Sequence, residues 1–156
     1  MNNKGSLRQI SATELEQWLI LSKNDYANDL TENHGYSEER AQHEAAESIQ
    51  SSLPLGINTP HQHFRIYQRD QQAIGYLWFS RENDAAFLMD LILLPEYQGQ
   101  GIGKEIMRAF IDELKDLDVQ EIELRVAPNN LRAQKLYEQF GFRVTGFDMH
   151  LDLNRK

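Results

Sequence analysis

Gly99, Gly101 and Gly103 crowd into five residues between the apolar run Leu91-Ile92-Leu93-Leu94 and an amphipathic segment that opens at Ile102. Lacking Cβ atoms, they allow a sharp strand-to-helix turn that sets successive backbone N–H groups against an anion at the positive end of the helix. Phosphate suits such a cradle, and Lys104 adds charge beside it. Two other glycine loops do not fit. A dinucleotide fingerprint G-x-G-x-x-G counted from Gly99 and Gly101 needs its third glycine where Lys104 stands. A Walker A loop needs glycine at Gln98 and Ser or Thr at Glu105. The pattern that remains is Q-x-x-G-x-G, formed by Gln98, Gly99, Gln100, Gly101, Ile102 and Gly103.

Other residues with chemical potential lie on either side of this loop. Asp90 is the only charge in the apolar stretch 85–94, where an unpaired carboxylate costs several kcal/mol or takes a raised pKa. It is either a structural aspartate bonded to its neighbours or a candidate general base. Tyr137 lies on an apolar stripe with Ala133, Leu136 and Phe140, and either packs in the core or presents its phenol to a site. Asn130 stands at the head of that helix, where a cap is expected. His61 and His63 share one face of an extended segment at metal-ligand spacing, but no third ligand is near, so no metal is expected.

The Q-x-x-G-x-G loop, followed by Asn130-Leu-Arg-Ala133-Gln-Lys-Leu136-Tyr137-Glu-Gln-Phe140-Gly141-Phe142, resembles the GNAT superfamily of N-acetyltransferases, over roughly residues 64–153. The resemblance implies acetyl-CoA as co-substrate. Its pyrophosphate would lie over the amides from Gly99 to Lys104, its pantetheine arm beside Leu91, Ile92 and Leu93, with Asn130 and Ala133 near the cofactor at the helix head. It also implies that Tyr137 protonates the departing thiolate. A phenol with pKa about 10 is protonated at neutral pH, and a thiolate of roughly 8.5 can receive its proton. The chain departs from the family at the base. The glutamates that many relatives carry would align with about Phe87 and with Arg125, which makes Asp90 the natural substitute, with His61 or a water chain as alternatives.

Composition bounds this reading. A chain of 156 residues, 40% of them hydrophobic, suits a single domain spanning 1–156. The absence of cysteine excludes disulfides and a cysteine acyl-enzyme, and fits a reducing, cytoplasmic location. No apolar run suggests a signal peptide or a membrane span. A net charge of −8 argues against nucleic-acid binding and is compatible with a cationic acceptor, although acidity often serves only solubility.

The elements that must position these residues follow from periodicity. A short strand at 7–10 precedes Ser11-Ala-Thr-Glu14, which has capping-box spacing at the head of a helix. A second helix opens near Ser37 and ends before Leu53-Pro54. Residues 64–69 and 73–80 read as a hairpin around a polar turn. The stretch 85–94, apolar at nearly every position, reads as a middle strand buried on both faces. A helix from Ile102 to near Asp118 follows, with Glu113 as the one polar residue on its apolar stripe. Strand 121–126, the Asn130 helix, and a last strand in which Phe147, Met149, Leu151 and Leu153 alternate with polar residues complete the chain.

The expected fold is therefore α/β (α+β): a mixed, mostly antiparallel sheet with a central splayed parallel pair, flanked by helices. Helices and loop at about 11–63 would serve the acceptor, and residues of about 64–153 the acetyl-CoA core. Tyr76 and Trp78 are further acceptor-side candidates, though aromatics are more often core. The expected function is acetyl transfer to a primary amine, on a small molecule or a protein, by direct attack in a ternary complex. The competing expectation is a non-catalytic acyl-CoA sensor. Edge strands and exposed aromatics permit a homodimer.

Overall fold

The computed structural model describes residues 5–154, in which five strands form one sheet in the order β1-β2-β3-β4-β5. β1 (Ser6–Gln9), β2 (Gln62–Arg69), β3 (Gln72–Glu82) and β4 (Ala85–Leu93) pair antiparallel, and β5 (Glu121–Leu124) runs parallel to β4. The parallel pair lies at one end of this sheet rather than at its centre. Among the described residues no helix is long and apolar enough to cross a membrane.

Local chemistry sets the helix boundaries. Ser11 caps α1 (Ala12–His34) through a full capping box with Glu14, and Arg8 clasps the same carboxylate at 2.7 Å. Ser37 caps α2 (Glu38–Ser52), and Asn130 caps α4 (Leu131–Gln139) by accepting from the Ala133 N–H at 3.1 Å. α3 (Ile102–Asp116) alone starts without a side-chain cap, at Gly101. Its first N–H groups keep their hydrogen-bonding capacity for something else.

The sheet divides two cores. On one face, Ile102, Ile106, Met107, Phe110 and Leu114 of α3 pack on Leu77, Phe79, Ala86 and Leu88. On the other, Leu15 and Trp18 of α1 pack on Ile66, Tyr76, Trp78 and Ile92, with Trp18 stacked on Tyr76 at 5.4 Å between ring centroids. Gly75 of β3 lets α3 approach closely, because a Cβ there would stand 2.7 Å from Ile106 Cδ1 and push that side chain aside. Glu113, the polar interruption on the α3 stripe, is answered across the fold by Arg65 of β2 at 3.1 Å.

Two expectations are corrected. β4 is not buried on both faces, since Phe87 and Met89 are exposed. Residues 147–153 form no strand among the described residues, and their apolar side chains stand in solvent.

Candidate functional site

β4 carries a bulge where chemistry is expected. Leu88 faces Phe79 and Asp90 faces Trp78, so Met89 is an extra residue with no partner on β3. One extra residue reverses which side chains face which side of a sheet. Before the bulge Ala86 and Leu88 join the α3 core; after it Leu91 and Leu93 do, while Ile92 joins the α1 core. Asp90 is thereby turned with Ile92 toward α1.

The same strand is left unpaired along part of its other edge. The β4–β5 ladder runs from Ala85↔Glu121 to Leu88↔Leu124 and then stops. Residues 89–93 of β4 have no strand on that side among the described residues, so the edge of this stretch that faces away from β3 is open along the splay except where Gln98 reaches the Leu93 carbonyl. Gln98 donates its side-chain amide to the Leu93 carbonyl at 3.1 Å, and Gln100 donates to the Glu96 carbonyl at 3.0 Å, which holds the loop against the strand end. Gly99 and Gly101 adopt φ of 78° and 77°, left-handed values that strain other residues. Ile102 is buried on the inner face of the first turn of α3, and Lys104 on the same turn is exposed. Gly103 faces α4: a Cβ there would lie 3.3 Å from Leu136 Cδ2. The loop thus offers an uncapped helix start and close backbone approach, both suited to a phosphate-bearing ligand.

An open cleft of about 470 Å³ lies between α1, the splay and the head of α4. Asp90, Leu91, Asn130, Ala133 and Tyr137 line it together, so residues spread over almost 50 positions of sequence meet at one place. The surroundings enclose the Asp90 carboxyl, and burial pushes its pKa up to about 6, with the nearby Asp25 carboxylate adding to the effect. Burial raises the Tyr137 phenol to about 12, and the charge of Asp90 contributes. Tyr137 also packs edge-on against Phe142 at 5.7 Å, so the same side chain lines the cleft and packs against the chain. Two hydroxyls lie near Asp90. Ser22 Oγ and Tyr76 Oη are buried with no hydrogen-bond partner among the described residues, and burial followed by the Asp90 charge pushes the Tyr76 pKa well above its ordinary value.

One wall was not read from the sequence. Asp25, Asp29 and Glu32 of α1 border the cleft. Their i, i+4, i+7 spacing was the available signal, since it puts them on one helix face. Arg125 pairs with Asp29 at 2.9 Å, and Asn129 donates to Glu32 at 2.6 Å, tying α1 to the segment after β5. Other candidates fall elsewhere. Tyr76 is 0% exposed and Trp78 donates its indole N–H to Gln62 at 2.6 Å within the core, so neither borders the cleft. His63 stacks on Phe79 at 5.1 Å, and among the described residues no three potential ligands converge as a metal site requires.

The family model described as "Acetyltransferase (GNAT) family" matches residues 14–142. YycN of Bacillus subtilis, described as an uncharacterized N-acetyltransferase, is 28% identical over 144 residues, 89% of this chain and 92% of that one. Its crystal structure superposes with a TM-score of 0.89 over 97% of this chain and 99% of YycN, at 27% identity. The spermine/spermidine N(1)-acetyltransferase of Bacillus subtilis is 35% identical over 92 residues, covering 58% of this chain and 52% of that enzyme. The PaiA N-acetyltransferase of Thermoplasma acidophilum, solved with coenzyme A, shares the fold with a TM-score of 0.70 over 95% of this chain and 94% of its own, at 23% identity.

Proposed function

The chain belongs to the GNAT acetyltransferase family and is an N-acetyltransferase, and from that premise we propose that it moves an acetyl group from acetyl-CoA to a primary amine by direct attack in a ternary complex. The observation that carries this reading is the convergence of Asp90 and Tyr137 on one cleft, beside an unpaired stretch of β4 that leads into an uncapped, glycine-framed helix start.

Acetyl-CoA supplies the acetyl group as a reactive thioester. Residues of the chain suit its parts. The first-turn amides of α3, with Lys104 beside them, would hold the pyrophosphate. The open edge of β4 along Leu91, Ile92 and Leu93 would hold the amide-bearing arm as an added strand is held. A backbone N–H near Leu93 would steady the carbonyl oxygen as negative charge develops on it.

Asp90 is the base in this scheme. An amine acceptor is largely protonated at neutral pH, whereas a carboxyl of pKa about 6 is largely ionised there and can accept a proton. The acceptor nitrogen of an ammonium substrate loses two protons per turnover. Asp90 takes the first and passes it to solvent; as the N–C bond forms and the C–S bond breaks, Tyr137 gives its proton to the sulfur and the second nitrogen proton is returned to the tyrosinate, so one proton is released net. The high pKa of Tyr137 keeps it protonated and able to donate. The acidic wall of Asp25, Asp29 and Glu32 favours a cationic acceptor, and polyamines head the panel because a relative is named for spermine and spermidine.

Calorimetric titration with acetyl-CoA and CoA, followed by a thiol-release assay over polyamines, amino acids and peptide N-termini, tests the reading. Saturable binding with turnover on a primary amine is expected. Binding without turnover on any amine would sink the catalytic assignment, and no binding would sink the cofactor assignment.

A further inference from the structure

The sheet and α1 bring the hydroxyls of Tyr76 and Ser22 to one buried place behind the cleft. Both residues are buried, and neither hydroxyl has a hydrogen-bond partner among the described residues. A buried polar group left without a partner is costly, so two of them together point to a common group that both serve.

Register and helix spacing place that group at Asp90. Trp78 faces Asp90 and Tyr76 faces Ile92 across β3 and β4. Tyr76 is therefore the diagonal neighbour of Asp90 on the α1 side of the sheet, a separation that a side chain as long as tyrosine spans. On α1, Trp18 stacks on the Tyr76 ring, buried Ser22 follows one turn later, and Asp25 comes next on the same face. Asp25 and Asp90 both line the cleft, so Ser22 stands between Tyr76 and that wall. Titration agrees with the placement: the Ser22 hydroxyl pulls down the pKa of both Asp90 and Tyr76, each of which burial raises.

We propose that Ser22 and Tyr76 are positioning residues for Asp90: the Tyr76 O–H donates to Ser22 Oγ and the Ser22 O–H donates to one carboxylate oxygen, leaving the other oxygen for the acceptor amine. This rests on the reading of Asp90 as the base. Chemistry fixes the direction of donation. Tyr76, buried beside the Asp90 charge, keeps its proton across the working range of pH and is a permanent donor. Ser22, having accepted from Tyr76, has its own proton free for the carboxylate. Donation to the charged form favours ionisation and opposes the burial and the Asp25 charge that push the carboxyl up. The Leu91 N–H acts in the same sense as Ser22. Of the other charged groups around the cleft, Tyr137 on α4 stays protonated, Asp29 is held by Arg125 and Glu32 by Asn129.

Ser22→Ala and Tyr76→Phe each remove a single oxygen and leave α1 and the Trp18 stack in place. Carbon-13 NMR titration of the Asp90 carboxyl, assigned with Asp90→Asn, is read beside the pH profile of kcat/KM. Ser22→Ala should move the Asp90 midpoint up by about one pH unit, because a hydrogen bond to the charged form is lost. Tyr76→Phe should move it the same way by less, and Asp25→Asn should move it down. The acid limb of the rate profile should follow each shift. A midpoint unmoved in both Ser22→Ala and Tyr76→Phe overturns the proposal, as does a downward shift in either. A midpoint that rises while the rate limb stays fixed upholds the hydroxyl arrangement and removes the base reading of Asp90 instead.

Discussion

Asp90 and Tyr137 line the same cleft, and burial raises both pKa values, the charge of Asp90 adding to the rise at Tyr137. At about 6 and about 12 the carboxyl stays largely ionised and the phenol protonated at neutral pH, and the raised carboxylate is a better proton acceptor than an exposed one.

The pH profile should report Asp90. Because the ionised form is the active one, kcat/KM should rise about tenfold per pH unit below 6 and level off above it. Asp90→Asn should lower the plateau by roughly 10²–10⁴-fold and remove that limb. A profile unchanged in the variant would take Asp90 out of the mechanism.

Tyr137→Phe should lower kcat by roughly 10²-fold or more with little change in the calorimetric affinity for CoA. In the wild type no loss of rate assignable to Tyr137 should occur below pH 11, since its folded pKa lies near 12. Equal kcat in the phenylalanine variant would return Tyr137 to a packing role against Phe142.

Gly101→Ala forces a side chain into a backbone conformation of φ 77°, at a cost of about 1–2 kcal/mol. The turn should reshape and CoA affinity should drop, whereas Gly146→Ala, where nothing lies within 4 Å of an added Cβ and no left-handed φ is required, should bind normally. Equal affinities measured by calorimetry would remove the glycine turn from the phosphate site.

The capping box of α1 ties stability to pH. Hydrogen bonding from Arg8 holds the Glu14 carboxyl down at about 2 in the folded chain, below its ordinary 4.5. A depressed carboxyl stabilises the fold above its unfolded pKa and loses that contribution as pH falls from about 4.5 toward 2. Glu14→Gln should therefore melt earlier than wild type at pH 7, with a gap in Tm that narrows in acid. Ser11→Ala should cost about 1 kcal/mol at pH 7.

Legibility in the sequence followed the range of the interactions. Ser11, Ser37 and Asn130 cap helices as their spacing predicts, because a cap is settled within four residues. The hairpin of β2 and β3 was likewise readable, although both strands extend beyond 64–69 and 73–80. Glu113 looked anomalous until Arg65, 48 residues away, supplied its partner.

The sequence by itself determined the glycine turn, the capped helices and the family resemblance, since these rest on backbone preferences and contacts local to the chain. Only the tertiary structure decided that Asp90 faces α1, because the bulge at Met89 arises from register against β3 and no pattern within β4 encodes it. It likewise decided that the acids of α1 border the cleft and that the alternating residues 147–153 leave their own sheet. Both depend on which surfaces meet, and that is fixed by packing between elements far apart in sequence.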